Sequence, residues 1–174
     1  MGGIGPAILN RGFLDAAEDD FIINTIKQGR SHTPMFKVGL SDSELVDLLA
    51  YMRAERKKVP PYLKPGPSIG NPGLGQRLFD QFCAECHGEN GEGIKAPALN
   101  NQEFLNAATN GYLLATITLG RSSTPMPAWG YPDKQRHVLT VRERNNIVSY
   151  IRKWQTLTIR RQSADPIYRL LNRK

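Results

Sequence analysis

The sequence predicts an all-α fold assembled from two related helical units. Every periodic segment has its apolar residues at helical spacing, and no stretch alternates apolar and polar residues over a useful length. Sliding the chain by 91 positions aligns Gly2–Met35 with Gly93–Met126 without a gap, and 16 of those 34 positions are identical. An internal repeat of this kind means that one supersecondary unit has been used twice.

The elements follow in order. Phe13-Leu14 and Ala16-Ala17 open the first unit and return as Phe104-Leu105 and Ala107-Ala108. Phe21-Ile22-Ile23 is matched in kind by Tyr112-Leu113-Leu114, and Thr25-Ile26 is repeated as Thr116-Ile117. Each copy then reaches an unusual loop, GRSHTPM at Gly29–Met35 and GRSSTPM at Gly120–Met126. A further helix follows in both, announced by Ser41-x-x-Glu44 and by Thr140-x-x-Glu143, the latter after eight extra residues. A hydroxyl three residues before an acid satisfies the free N–H groups of a first helical turn. Leu45, Leu48, Leu49 and Met52 make the apolar stripe of one helix, and Ile147, Val148 and Ile151 that of the other.

These features divide the chain into a partial repeat over 1–56, a Pro-rich linker over 57–70, a second unit over 71–157 and a basic extension over 158–174. Pro60, Pro61, Pro65 and Pro67 rule out a helix in the linker. The second unit starts at Asn71-Pro72, a cap followed by a first helical residue. Gly75, Leu78, Phe79 and Phe82 continue that helix.

The net charge of +7 arises from 23 basic against 16 acidic residues. Arg160, Arg161, Arg169, Arg173 and Lys174 concentrate the excess near the C-terminus. Basic residues are not interleaved with aromatics along a helix, which disfavours nucleic acid and favours an acidic protein or an anionic surface as partner. No run reaches the roughly 18 to 20 apolar residues that span a bilayer. Met1–Pro6 has neither the charged region nor the apolar stretch of a secretory signal.

Both cysteines of the chain fall in Cys83-Ala84-Glu85-Cys86-His87, a C-x-x-C-H pattern. This is the c-type haem attachment spacing, in which each thiol adds to one porphyrin vinyl group and the adjacent histidine lies under the iron. Zinc would need further ligands, and the remaining histidines are only His32 and His137. A thioredoxin-like redox pair would accompany a βαβ pattern, which is missing.

Beyond the motif come Gly88, Gly91 and Gly93, then Pro97-Ala98-Leu99, a helix ending at Gly120-Arg121, and Pro125-Met126-Pro127-Ala128-Trp129. With these elements in this order, roughly residues 70–156 resemble the class I cytochrome c family in its bacterial form. The resemblance implies cytochrome c-like helices wrapped around a covalently bound haem c. It implies thioether links at Cys83 and Cys86, and axial ligation by His87 Nε2 and the Met126 sulfur. It further implies that the Pro97 carbonyl accepts from His87 Nδ1–H and that Arg121 pairs with a haem propionate. Gly75 and Phe79 resemble first-helix positions that pack on an aromatic of the last helix, Tyr150 or Trp154. Leu99 and Trp129 take the place of pocket wall.

The function implied is electron transfer, with the chain as a subunit or docked carrier of a respiratory or photosynthetic membrane complex. The implied location is the periplasm or the outer face of the cytoplasmic membrane. Acidic redox proteins or other subunits are the expected partners, and the Asp165-Pro166 tail with Ile167, Tyr168, Leu170 and Leu171 is an expected docking segment. The alternative is a peroxidase-like or gas-sensing haem module in which Met126 is displaceable.

The first copy has the ligand loop without an attachment motif, because that motif projects to positions before Met1. Two readings stay open: an upstream portion carries a second haem, or this copy serves as a helical scaffold. One haem is expected in the chain as it stands. His32 replaces Ser123 of the second copy and is expected to be exposed.

Overall fold

The computed structural model describes residues 5–54, 70–132 and 136–156. The Pro-rich linker and the basic extension lie outside the described residues, apart from Gly70. Eight helices are described and, among the described residues, no strand. The architecture is therefore all-α.

The first repeat contributes α1 (Arg11–Ala16), α2 (Asp19–Gln28) and α3 (Asp42–Ala54). The second contributes α4 (Pro72–Phe82), α5 (Ala84–His87), α6 (Gln102–Ala107), α7 (Asn110–Leu119) and α8 (Val141–Arg152). Side-chain caps specify the starts of all but α2 and α5. Asn71 Oδ1 accepts from Leu74 N at 3.0 Å at the start of α4, and Thr140 and Glu143 complete a reciprocal capping box on α8. Ser41 and Glu44 do the same for α3, with Ser41 N donating to Glu44 Oε2 at 2.8 Å and Glu44 N to Ser41 Oγ at 3.3 Å. The side chains of Asn10 and Asn101 cap α1 and α6.

Helix α4 crosses α8 and delivers the C-x-x-C-H turn. Phe79 is fully buried there, with its ring 5.5 Å from Tyr150 and 5.2 Å from Trp154. Gly75 is buried against the backbone of Asn146, so a side chain at this position would collide with α8. Burying such aromatics contributes most of the association between two short helices.

The two repeats pack face to face. Helix α1 lies on α7, and its repeat counterpart α6 lies on α2. Phe21 and its counterpart Tyr112 stack on each other, centroids 4.0 Å apart. The counterparts Glu18 and Thr109 also meet, at 3.4 Å. Contacts that exchange in this way are those of an isologous, two-fold-like interface, here formed within one chain.

Inside each repeat an arginine of the last helix ties down the short first helix. Arg53 donates to the carbonyls of Leu14 at 2.8 Å and Ala17 at 2.7 Å, and to Asp19. Arg152 donates to Leu105 at 2.6 Å, Ala108 at 2.5 Å and Asn110 Oδ1 at 2.7 Å. A guanidinium is suited to this because its forked donors reach several fixed carbonyls together. Among the described residues no helix is long and apolar enough to cross a membrane.

Candidate functional site

The site begins where α4 ends. Cys83 takes a non-helical conformation as the cap of α4, and one turn of α5 then presents Cys86 and His87. The two cysteines are not joined to each other in a disulfide. The Cys86 carbonyl accepts from the backbone N–H groups of Ile94, Lys95 and Ala96, at 3.2, 3.0 and 3.0 Å, which folds the following loop back under the turn. Gly91 has a φ of +72° and packs on the Trp154 ring, so a Cβ here would be both strained and obstructed.

That fold-back brings the Pro97 carbonyl to His87 Nδ1 at 2.9 Å. A carbonyl only accepts, so Nδ1 carries the proton and Nε2 keeps its lone pair for a metal. Burial pulls the His87 pKa down, with the Pro97 bond opposing it, which favours the neutral imidazole a metal requires. Burial pushes the Cys83 thiol up to about 12, with the neighbouring Cys86 adding to the effect. Such a sulfur resists ionisation and suits a neutral thioether better than a zinc thiolate. Among the described residues, no three His, Cys, Asp or Glu side chains gather as a metal cluster.

The Gly120–Met126 loop is held by its own backbone and hydroxyl. Arg121 N donates to the Met126 carbonyl at 3.1 Å, and Thr124 Oγ1 donates to the Arg121 carbonyl at 2.8 Å. The same Thr124 oxygen accepts from Met126 N at 3.2 Å. Met126 is half-buried between Pro125 and Pro127. Leu99, Phe82 and Trp129 are half-buried against the core, and Phe82 packs 5.2 Å from the Trp129 ring. The residues present fit a c-type haem: two thiols one helical turn apart, an oriented imidazole, a rigidly presented thioether and apolar walls.

Arg121 turns toward the first repeat. Its guanidinium points into the inter-repeat interface, where Nη1 donates to the Gly12 carbonyl at 2.8 Å and Nη2 to Tyr112 OH at 2.9 Å and Thr116 Oγ1 at 2.8 Å. It also lies 5.6 Å from the centroids of both Phe13 and Tyr112. Fixed acceptors and two aromatic faces hold the cation there. Arg30 is placed equivalently, 5.1 Å over Phe104, but Phe21 has no hydroxyl and Arg30 Nε is buried without a partner.

Sequence reasoning missed Asn10, whose side-chain amide donates to the Ser122 carbonyl within the second loop. It also missed His137, which stacks on Phe82 at 5.5 Å and pairs with Glu143 at 3.5 Å. The conserved Asn10/Asn101 pair of the repeat was the available signal for the first. His32 is exposed, with a φ of +60° shared by Ser123.

Comparisons with known proteins fall mainly on the same segment. Residues 70–151 match the family model described as cytochrome c oxidase, cbb3-type, subunit III. The cbb3-type oxidase subunit CcoP of Azospirillum brasilense is 39% identical over 62 residues, which is 32% of this chain and 21% of that protein. Cytochrome c55X of Pseudomonas aeruginosa is 41% identical over 54 residues, covering 31% of this chain and 44% of that protein. The matched stretch spans about a fifth of the length of such oxidase subunits. Among solved structures, a chain of the reducing HAO-like complex of Kuenenia stuttgartiensis superposes with a TM-score of 0.49 at 20% identity, over 79% of this chain and 72% of that one. Attachment turn, oriented histidine and family match coincide on one segment, residues 70–151, which is similar to the cytochrome c domains of these proteins.

Proposed function

We propose that the chain carries single electrons through one haem c, ligated by His87 and Met126, as a subunit or docked carrier of a respiratory membrane complex on the periplasmic side. The observation that carries this reading is the His87–Pro97 hydrogen bond in a C-x-x-C-H turn, because it leaves Nε2 ready for iron. Bound haem supplies a one-electron Fe(III)/Fe(II) couple.

The residues do the rest. Cys83 and Cys86 would hold the porphyrin covalently, and the Pro97 carbonyl fixes the His87 ring plane and tautomer. The Met126 sulfur, a soft ligand, favours the reduced iron and raises the potential. Leu99, Phe82 and Trp129 keep water from the site, which lowers the reorganisation on electron gain and loss. His87 and Met126 would together hold the iron, an arrangement suited to electron transfer and not to chemistry on a bound molecule. The relatives named as cbb3-type oxidase subunits support a respiratory complex as the setting, and the net charge of +7 suits an acidic docking partner.

The test is spectroscopic. Chain made in cells that mature c-type cytochromes should show one covalent haem by intact mass, low-spin reduced bands and a red-edge thioether-to-iron absorption when oxidised. Ready binding of CO to the reduced protein, with no red-edge band, would replace this reading with a haem-based sensor.

A further inference from the structure

We propose that the first repeat acts as a clamp on the second repeat's ligand loop, and that Asn10 and Gly12 are positioning residues for Met126. This rests on reading Met126 as an iron ligand.

The clamp has two jaws. Asn10 Nδ2 donates to the Ser122 carbonyl, a bond spanning 112 residues of sequence. The Gly12 carbonyl accepts from Arg121 Nη1 across 109 residues. Ser122 and Arg121 lie inside the GRSSTPM loop, so the first repeat grips that loop from outside at two consecutive residues. The loop's own bonds, Arg121 N to Met126 O and Met126 N to Thr124 Oγ1, pass this restraint on to the methionine. Gly12 is itself a contact point: a Cβ here would lie 2.8 Å from the Gly120 carbonyl and 3.6 Å from Arg121 Cα. Only a residue without a side chain lets α1 approach the loop this closely.

Repeat symmetry provides the control. Asn101 makes the matching bond, donating to the Ser31 carbonyl of the other loop at 3.2 Å. Asn10 and Asn101 both also accept from the first turn of a helix, Phe13 N at 3.3 Å and Phe104 N at 2.8 Å. Replacing either by Asp keeps the cap oxygen, deletes the amide donor and sets a carboxylate oxygen against the facing carbonyl in both cases alike. The two variants lose the same kind of bond, and only one of them loses it at the Met126 loop.

Haem-loaded wild type, N10D and N101D should be titrated in the ferric state with imidazole, following loss of the red-edge band. N10D should bind imidazole roughly three- to tenfold more tightly than wild type, the range one such hydrogen bond can shift. N101D should titrate like wild type. Amide hydrogen exchange at Arg121 and Met126 should quicken in N10D alone. Equal titrations for all three proteins, or equal shifts in both variants, would overturn the clamp while leaving Met126 as ligand. A wild type without the red-edge band would instead overturn the ligand reading and the clamp together.

Gly12→Ala is the second variant should N10D fail to fold. Gly12 is the second residue of α1, and a Gly-to-Ala change within a helix ordinarily stabilises it by up to about 1 kcal/mol. The clamp predicts the opposite sign at the iron, with tighter imidazole binding and faster Met126 exchange than wild type. Unchanged imidazole affinity in this variant would count against the clamp.

Discussion

Tyr51 and Tyr150 hold the same place in the last helix of the two repeats, yet Tyr51 is 62% exposed and Tyr150 7%. The difference lies in what covers the helix. Helix α4 packs on α8 and sets Phe79 against Tyr150, whereas among the described residues no helix covers α3 in that way. Met35, Phe36 and Val38 are exposed after the first loop, whereas Met126 and Trp129 are half-buried after the second. The loops themselves are nearly the same, down to the Thr33 and Thr124 hydroxyls donating to the Arg30 and Arg121 carbonyls at 2.8 Å in both. One loop conformation thus occurs in two environments. What separates the copies is the attachment turn and the helix that brings it.

The largest expected effect breaks the comparison at the methionines. Met126→Ala should abolish the red-edge band and open the reduced iron to CO. Met35→Ala should leave both unchanged. Optical titration of the two variants decides it, and equal behaviour would remove the distinction between the loops.

The tyrosines should show a smaller difference. Tyr150→Ala removes a buried ring packed on Phe79 and Trp154 and should cost about 3 kcal/mol of stability. Tyr51→Ala, on an exposed face, should stay within about 0.5 kcal/mol. Urea unfolding of the haem-loaded protein measures both. A large loss at Tyr51 would mean that something covers α3 after all.

The capping boxes should behave alike, and this is the smallest effect. Glu44 is held below its usual pKa by the hydroxyl and backbone N–H of Ser41, and Glu143 by the backbone N–H and hydroxyl of Thr140, with His137 assisting. A carboxylate whose folded pKa is depressed stabilises the fold above its unfolded value of about 4.3, and that stability is lost as pH falls through the folded value. Glu44→Gln and Glu143→Gln should therefore flatten the decline in stability on the acid side of about pH 4. Thermal melts across pH 3 to 6 would show it, and a slope unchanged in both variants would remove the boxes from the acid response.

Much of this was legible in the chain. The Asn71-Pro72 start, the two capping boxes and the C-x-x-C-H turn depend on residues within four positions of one another. The repeat made α1, α2 and α3 readable from α6, α7 and α8. Arg121 was not legible, because its acceptor at Gly12 lies 109 residues away and nothing local marks a glycine carbonyl as a partner. Asn10 was readable as a cap, through its oxygen, but its amide and the Ser122 carbonyl meet only when the repeats do. His137 fell outside any motif, and its place on Phe82 comes from the extra residues that precede α8.

By itself the sequence determined the helices, their caps, the attachment turn and the presence of two copies, since each is set by short-range periodicity and hydrogen bonding. Only the tertiary structure decided that the copies face each other across Phe21 and Tyr112, that Arg121 turns toward the other repeat, and that Tyr51 is exposed where Tyr150 is buried. Those outcomes depend on which surfaces meet. A periodic pattern specifies that a helix has an apolar face, while the element covering that face is chosen by packing between segments far apart in the chain.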